Sequence, residues 1–165
     1  MAPKRPPAVD RIDISLLAAL QRDGRSTIQK LADTVGLSPR ACLERVRRLE
    51  AAGIISGYRA EIELDHLSRP VTVFAEIVLE NHANHLRFER RIAAVEEIVE
   101  SWELSGTVDY LARCVCTDLT AYLDLTKWLV DDPQLGIARI VSHVVLRPVR
   151  RFGGYPATLL SRTSE

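Results

Sequence analysis

The sequence has little of what enzymes and membrane proteins need. Its three cysteines, Cys42, Cys114 and Cys116, are an odd number, which excludes a complete disulfide framework and fits a reducing cytoplasm. Cys114 and Cys116 share one face of an expected strand, but no further cysteine or spaced histidine pair joins them. They read as core thiols, and no metal is expected. Of the four histidines (His66, His82, His85 and His143), His82 and His85 stand three apart at an expected helix start, as exposed polar residues rather than ligands. There is no glycine-rich phosphate loop and no nucleophile with an evident base. No catalytic residue, cofactor or enzymatic activity is therefore expected. No apolar run is long enough to span a bilayer, and the opening Met-Ala-Pro-Lys-Arg-Pro-Pro lacks signal character. Net charge is absent too: the formal sum is zero. Residues 1–65 carry eleven Lys/Arg against nine Asp/Glu, and residues 66–165 eleven against thirteen. Any contact with nucleic acid must be focused on one basic face.

Such a face is present. Leu37-Ser-Pro-Arg-Ala-Cys-Leu-Glu-Arg-Val-Arg-Arg-Leu-Glu-Ala-Ala-Gly53 opens with a capping serine and a first-turn proline and closes on a glycine suited to a left-handed C-terminal position. Cys42, Leu43, Val46 and Leu49 form an apolar stripe on the helical wheel. Arg40 and Arg47 flank the opposite face on one side, Arg45 and Arg48 on the other, with Ala41 and Glu44 between. Taken alone, this is also how a solvated basic face looks. The upstream pattern decides for a groove-binding helix. A first helix opens at Asp10, with Asp13 completing a capping box and Ile12, Leu16, Leu17 and Leu20 inward. A second opens at Ser26, with Gln29 at the capping-box position and Ile28, Leu31, Ala32 and Val35 inward. Gly36-Leu37-Ser38 then turns into the arginine helix. Two short helices joined by a glycine turn, the second basic on its outer face, read as helix-turn-helix.

Beyond Gly53, Tyr58 to Leu64 alternates apolar and charged residues and is expected to be a strand with one buried face. Residues 65–70 read as a linker. The second half gives strands over 71–80, 98–104, 108–117 and 137–147, with helices over 84–95 and from Asp118. The first of these helices is expected to bury Phe88, Ile92 and Val95, the second Leu119, Tyr122, Leu123 and Leu129. The order is β-α-β-β-α-β, a ferredoxin-like arrangement. The fold class is α+β: a winged helix-turn-helix over 9–57, a connecting strand and linker over 58–70, and the βαββαβ domain over 71–147. A flexible basic arm is expected over 1–8 and an irregular tail over 148–165.

Five stretches carry a family resemblance. They are Leu31-Ala-Asp-Thr-Val-Gly-Leu-Ser-Pro39, Arg45-Val-Arg-Arg-Leu-Glu50, Ala52-Gly-Ile-Ile-Ser-Gly-Tyr58, Ser105-Gly-Thr-Val-Asp-Tyr-Leu111 and Val144-Val-Leu-Arg147. Their joint occurrence over residues 10–147 resembles the Lrp/AsnC family of bacterial and archaeal transcription regulators. The resemblance implies double-stranded DNA as partner, homodimers that assemble further to octamers, and an amino-acid effector bound through the C-terminal module. Two departures stand out. Glu44 replaces a basic or neutral residue of the reading helix, implying an unusual operator. The turn before Asp109 reads Gly-Thr-Val, where many relatives have an acid after the glycine.

The DNA-binding candidates are Ser38, Pro39 and Arg40 at the helix N-terminus, where free N–H groups meet phosphate, together with Arg45 and Arg48 for groove contacts. Arg47 is expected to clamp the backbone or pair with Glu44. The effector candidates are Gly106, Thr107, Val108, Asp109 and Tyr110. Gly106 lets a carboxylate approach backbone N–H groups, and Asp109 accepts from an α-ammonium. The resemblance adds His143, Val144 and Val145 from the last strand. The same loop also reads as a plain hairpin turn with Asp109 bonding backbone. The alternative function is an effector-independent architectural DNA-binding protein.

Overall fold

The computed structural model describes residues 9–81 and 84–160, so the arm expected over 1–8 and His82 lie outside the described residues. The chain divides into two compact units, residues 9–61 with 150–160, and residues 62–149.

The first unit is helical. α1 (Arg11–Arg22) opens with a reciprocal capping box: the Asp13 N–H donates to the Asp10 carboxylate, and the Asp10 N–H to that of Asp13. α2 (Ile28–Val35) is capped by Thr27, whose Oγ1 accepts from the Lys30 N–H at 3.2 Å. The expected cap, Ser26, instead donates to Asp23 at 2.9 Å. Both hydroxyls suit an N-cap, and the one that reaches the N3 amide takes the position. α3 (Pro39–Ala51) starts at Ser38, whose Oγ accepts from the Ala41 N–H. It ends in a Schellman turn: Gly53 sits at φ +69°, its N–H reaches Glu50 O at 2.9 Å, and the Ile54 N–H reaches Leu49 O at 3.0 Å. Leu16, Leu31, Ala32, Cys42 and Val46 form the shared core.

The second unit is a four-stranded antiparallel sheet, order β2-β3-β1-β4, from β1 (Val71–Leu79), β2 (Ile98–Glu103), β3 (Tyr110–Cys116) and β4 (Ile137–Val144). α4 (His85–Ile92) and α5 (Leu119–Asp131) complete the βαββαβ order. Alternation in β1 and β3 sends Val73, Ala75, Ile77, Tyr110, Ala112 and Cys114 into one core with Phe88, Ile92, Tyr122 and Leu129 from the helices. Register puts Phe74, Glu76, Val78, Leu111, Arg113, Val141 and His143 on the opposite face.

Three further expectations are corrected. Residues 58–63 form no strand, and Tyr58 and Ile62 are exposed. Their alternation is real, but a strand needs a neighbour to satisfy its ladder, and no segment among the described residues pairs with them. A single 3-10 turn follows at Leu64–His66. On α5, Leu119 and Leu123 point outward, leaving Tyr122 and Leu129 as the inner face with Leu125 half-buried. The tail is not wholly irregular: α6 (Ala157–Leu160) follows Tyr155, whose N–H donates to Gln21 Oε1 at 2.6 Å while Gln21 Nε2 donates back to Tyr155 O at 3.3 Å. One side-chain amide thus pairs with the tail as a backbone would.

Candidate nucleic-acid interface and effector loop

The four arginines of α3 divide into two pairs with different surroundings. Arg45 Nη1 donates to Asp10 Oδ2 at 2.6 Å and to Asp13 Oδ1 at 2.9 Å, and Arg48 Nη2 donates to Asp13 Oδ2 at 2.5 Å. Asp13 has no solvent exposure. A carboxylate without water requires charged, hydrogen-bonded partners, and these two guanidinium groups supply them across the α1–α3 junction. Asp10 is held below its ordinary 3.8 by the Asp13 backbone N–H and then by Arg45. Arg45 is pushed up in turn by Asp10 and Asp13. Both residues expected at the groove are thus engaged inside the unit.

The other pair faces solvent. The Arg40 side chain is 91% exposed and its Nε lies 3.4 Å from Glu44 Oε1, itself 68% exposed. Arg47 is exposed and makes no ion pair among the described residues. The partner of Glu44 is therefore Arg40, one turn earlier, rather than Arg47. Ser38 and Pro39 are exposed at the start of the helix. Arg40, Glu44 and Arg47 follow at i, i+4 and i+7, one row along the outward face.

In the sheet unit, Gly106 adopts φ +119°, and a Cβ there would meet nothing within 4 Å. Gly106 and Thr107 are exposed and Val108 half-buried. Asp109 closes the hairpin: its O accepts from the Leu104 N–H at 2.8 Å and its N–H donates to Ile77 O at 3.0 Å. Its Oδ2 accepts from the Leu79 N–H at 2.8 Å, while Oδ1 stands 3.9 Å from His85 Nε2. Tyr110 is a core residue. It is 2% exposed and packs on Phe88 at 4.7 Å between ring centroids. Its hydroxyl donates to Glu89 Oε1 at 2.9 Å and lies 3.0 Å from His85 Nδ1. Burial and then Glu89 push the phenol well above its ordinary value. His143 sits on the uncovered sheet face, 3.4 Å from Glu76. Val144 pairs with Val73 and so shares the helix-covered side, and the Val145 N–H donates to Thr72 O. The two groups of effector candidates are thus on separate parts of the sheet unit.

Residues 9–56 match the family described as winged helix-turn-helix DNA-binding, and residues 72–154 match the Lrp/AsnC ligand binding domain. The transcriptional regulatory protein DoeX of Halomonas elongata is 40% identical over 146 residues, 87% of this chain and 91% of its own. The chain belongs to the Lrp/AsnC family. The leucine-responsive regulatory protein of Escherichia coli is 43% identical over 146 residues, 87% of this chain and 88% of its own. A transcriptional regulator from Neisseria meningitidis, solved as a complex with L-Met, superposes with a TM-score of 0.86 at 27% identity, covering 93% of this chain and 99% of that one.

This Lrp/AsnC protein is accordingly a DNA-binding transcription regulator, and its relatives are named as regulators rather than enzymes. Among the described residues, no helix is long and apolar enough to cross a membrane. The two anchors of its α3, Asp10 and Asp13, are legible in the sequence as a capping box but not as partners of Arg45 and Arg48, because that pairing depends on how α1 packs against α3. The available signal is an acid at the third position of a helix whose neighbours Ile12, Leu16 and Leu17 turn inward. Glu89 and His85 hold the Tyr110 hydroxyl; His85, expected as an exposed polar residue, is instead largely buried, its side chain 15% exposed, because it packs against Tyr110.

Proposed function

We propose that this Lrp/AsnC regulator dimerises, sets two copies of α3 into successive major grooves of a near-palindromic operator, and alters its grip on DNA when a small amino acid binds beside the β2–β3 loop between copies. The observation that carries the DNA contact is the outward row of Arg40 and Arg47. Both guanidinium groups are exposed on a helix fixed from behind by Asp13. Ser38 and Pro39 start that helix, whose N-terminal amides suit a phosphate. In this assignment Arg45 and Arg48 set the angle of α3, and Arg48, 46% exposed, reaches a phosphate from its edge. Such contacts give affinity that falls with salt.

The effector half of the reading draws on the open Gly106–Val108 loop, on Asp109 Oδ1, and on the L-Met complex of the Neisseria neighbour. Tyr110 supports the loop from within the core rather than touching ligand. His143, Val144 and Val145 enter only through a neighbouring copy. Dimerisation, and octamers of four dimers beyond it, draw on the uncovered sheet face. There Phe74, Val78, Leu111 and Val141 lie half-buried around the Glu76–His143 and Glu100–Arg113 pairs. The architectural alternative keeps the DNA contact and the assembly without the effector. A gel shift on operator DNA across the standard amino acids separates the two: one amino acid changing the apparent affinity supports the effector, and none doing so favours the architectural protein. Light scattering that gave a stable monomer at micromolar concentration would contradict the assembly.

A further inference from the structure

The carboxylate of Glu44 is the one negative group in the outward row of α3, and the fold makes little use of it. Cys42, Val46 and Leu49 form the buried side of the helix, and Arg45 and Arg48 the side that meets α1. Glu44 points away from both, and its exposed pair with Arg40, at 3.4 Å, is of the kind that adds little to stability. Set against a duplex, an exposed carboxylate is repelled by every phosphate it approaches. That repulsion is offset only where the base edge donates a hydrogen bond.

We propose that Glu44 is a specificity-determining residue that selects cytosine at one position of each operator half-site, by accepting a hydrogen bond from the cytosine N4 amine in the major groove. The assignment rests on α3 being the groove helix. Guanine presents two acceptors on that edge and thymine an acceptor with a methyl group, so both repel a carboxylate. Adenine sets its N6 donor beside the N7 acceptor, a pattern that suits an amide and penalises an acid. Cytosine alone carries a donor with no acceptor of its own on that edge, and a carboxylate is the acceptor that suits it. Arg40, whose Nε faces Glu44, keeps its terminal nitrogens for a guanine O6/N7 edge. The two side chains lie one turn apart on α3, so they read neighbouring base pairs.

Selection from a random duplex library tests this, with the full-length parent, Glu44→Gln, Glu44→Ala and Arg40→Ala carried through the same rounds. Glu44 is exposed, so its variants keep the fold, and circular dichroism confirms that in the same samples. The parent enriches cytosine at one position per half-site, by about tenfold over the other bases. Glu44→Ala flattens that position and leaves the rest, Glu44→Gln moves it toward adenine, and Arg40→Ala flattens a neighbouring position instead. The assignment is overturned if Glu44→Ala keeps the parent's preferences or weakens all sequences alike. It is equally overturned if Glu44→Ala and Arg40→Ala flatten one and the same position, since Glu44 would then only orient Arg40. A parent that enriches no sequence overturns both this assignment and sequence-specific reading by α3.

Discussion

One guanidinium nitrogen of Arg45 bridges two carboxylates of α1, Asp10 Oδ2 at 2.6 Å and Asp13 Oδ1 at 2.9 Å. Thirty-two positions separate Arg45 from Asp13 in the chain. With Arg48 on the other oxygen of Asp13, this bridge fixes α3, the helix proposed to meet DNA, to α1 behind it. Removing the buried member is therefore the severe change. Asp13→Ala takes the carboxylate from Arg48 and leaves Arg45 with Asp10 alone, and costs roughly 2–4 kcal/mol, less than a fully buried pair because both arginines are partly wet. Arg45→Ala leaves Asp13 with Arg48 and costs roughly 1–2 kcal/mol. Chemical denaturation gives both values. As a positioning residue, Arg45 should weaken all operator sequences evenly when removed; altered preference at a single base would instead make it a reader.

The same bridge predicts an acid limb. The Asp10 carboxyl lies below its ordinary 3.8 in the fold, held first by the Asp13 N–H and then by Arg45. Above the unfolded value the ionised group contributes its full share of stability. As pH falls through that value toward the lowered folded one, the unfolded chain takes up the proton first and stability drops. Melting temperature followed from about pH 6 down to about pH 3 should fall for the parent and fall less for Asp10→Asn. Parallel curves would show that Asp10 is not coupled to folding.

Much of this arrangement is legible in the sequence. The Asp10 capping box, the Ser38-Pro39 start, the Gly53 stop and the alternation in β1 and β3 are local, and each was read from neighbours a few positions away. The helical wheel also separated Arg40 and Arg47 from Arg45 and Arg48. It could not say which pair meets α1, because that depends on how two helices pack. Tyr58–Leu64 failed in the opposite way. Its alternation is a local signal, but a strand is a relationship between segments, and among the described residues no segment pairs with it. Gln21 pairing with the backbone of Tyr155 spans 134 positions and leaves no trace in either stretch.

At the proposed effector loop, Asp109 closes the hairpin and is proposed to hold the ligand, and one substitution separates the two. Asp109→Asn retains an oxygen for the Leu79 N–H but removes the charge that an α-ammonium needs. It should keep the melting temperature near the parent's and weaken amino-acid binding by about tenfold or more. Asp109→Ala frees the Leu79 N–H as well and should also lose about 1 kcal/mol of stability. Gly106→Val is worse for the loop, since a branched side chain is strained at φ +119°. Calorimetry with the amino acid that stabilises the parent reads the affinities. Equal binding by parent and Asp109→Asn would reduce Asp109 to a hairpin closure.

In the proposed reading the outward arginines of α3, Arg40 and Arg47, make the main ionic contact with DNA, Arg48 adds to it from the edge, and Arg45 makes none. The most direct measurement is the salt dependence of operator affinity by fluorescence anisotropy for the parent, Arg40→Ala and Arg47→Ala. Each variant should bind more weakly, and where the lost arginine sat on a phosphate the slope of log affinity against log salt should fall by about one. Arg45→Ala, by contrast, should weaken binding with the parent's slope. Parent-like affinity and slope in both Arg40→Ala and Arg47→Ala would contradict the claim.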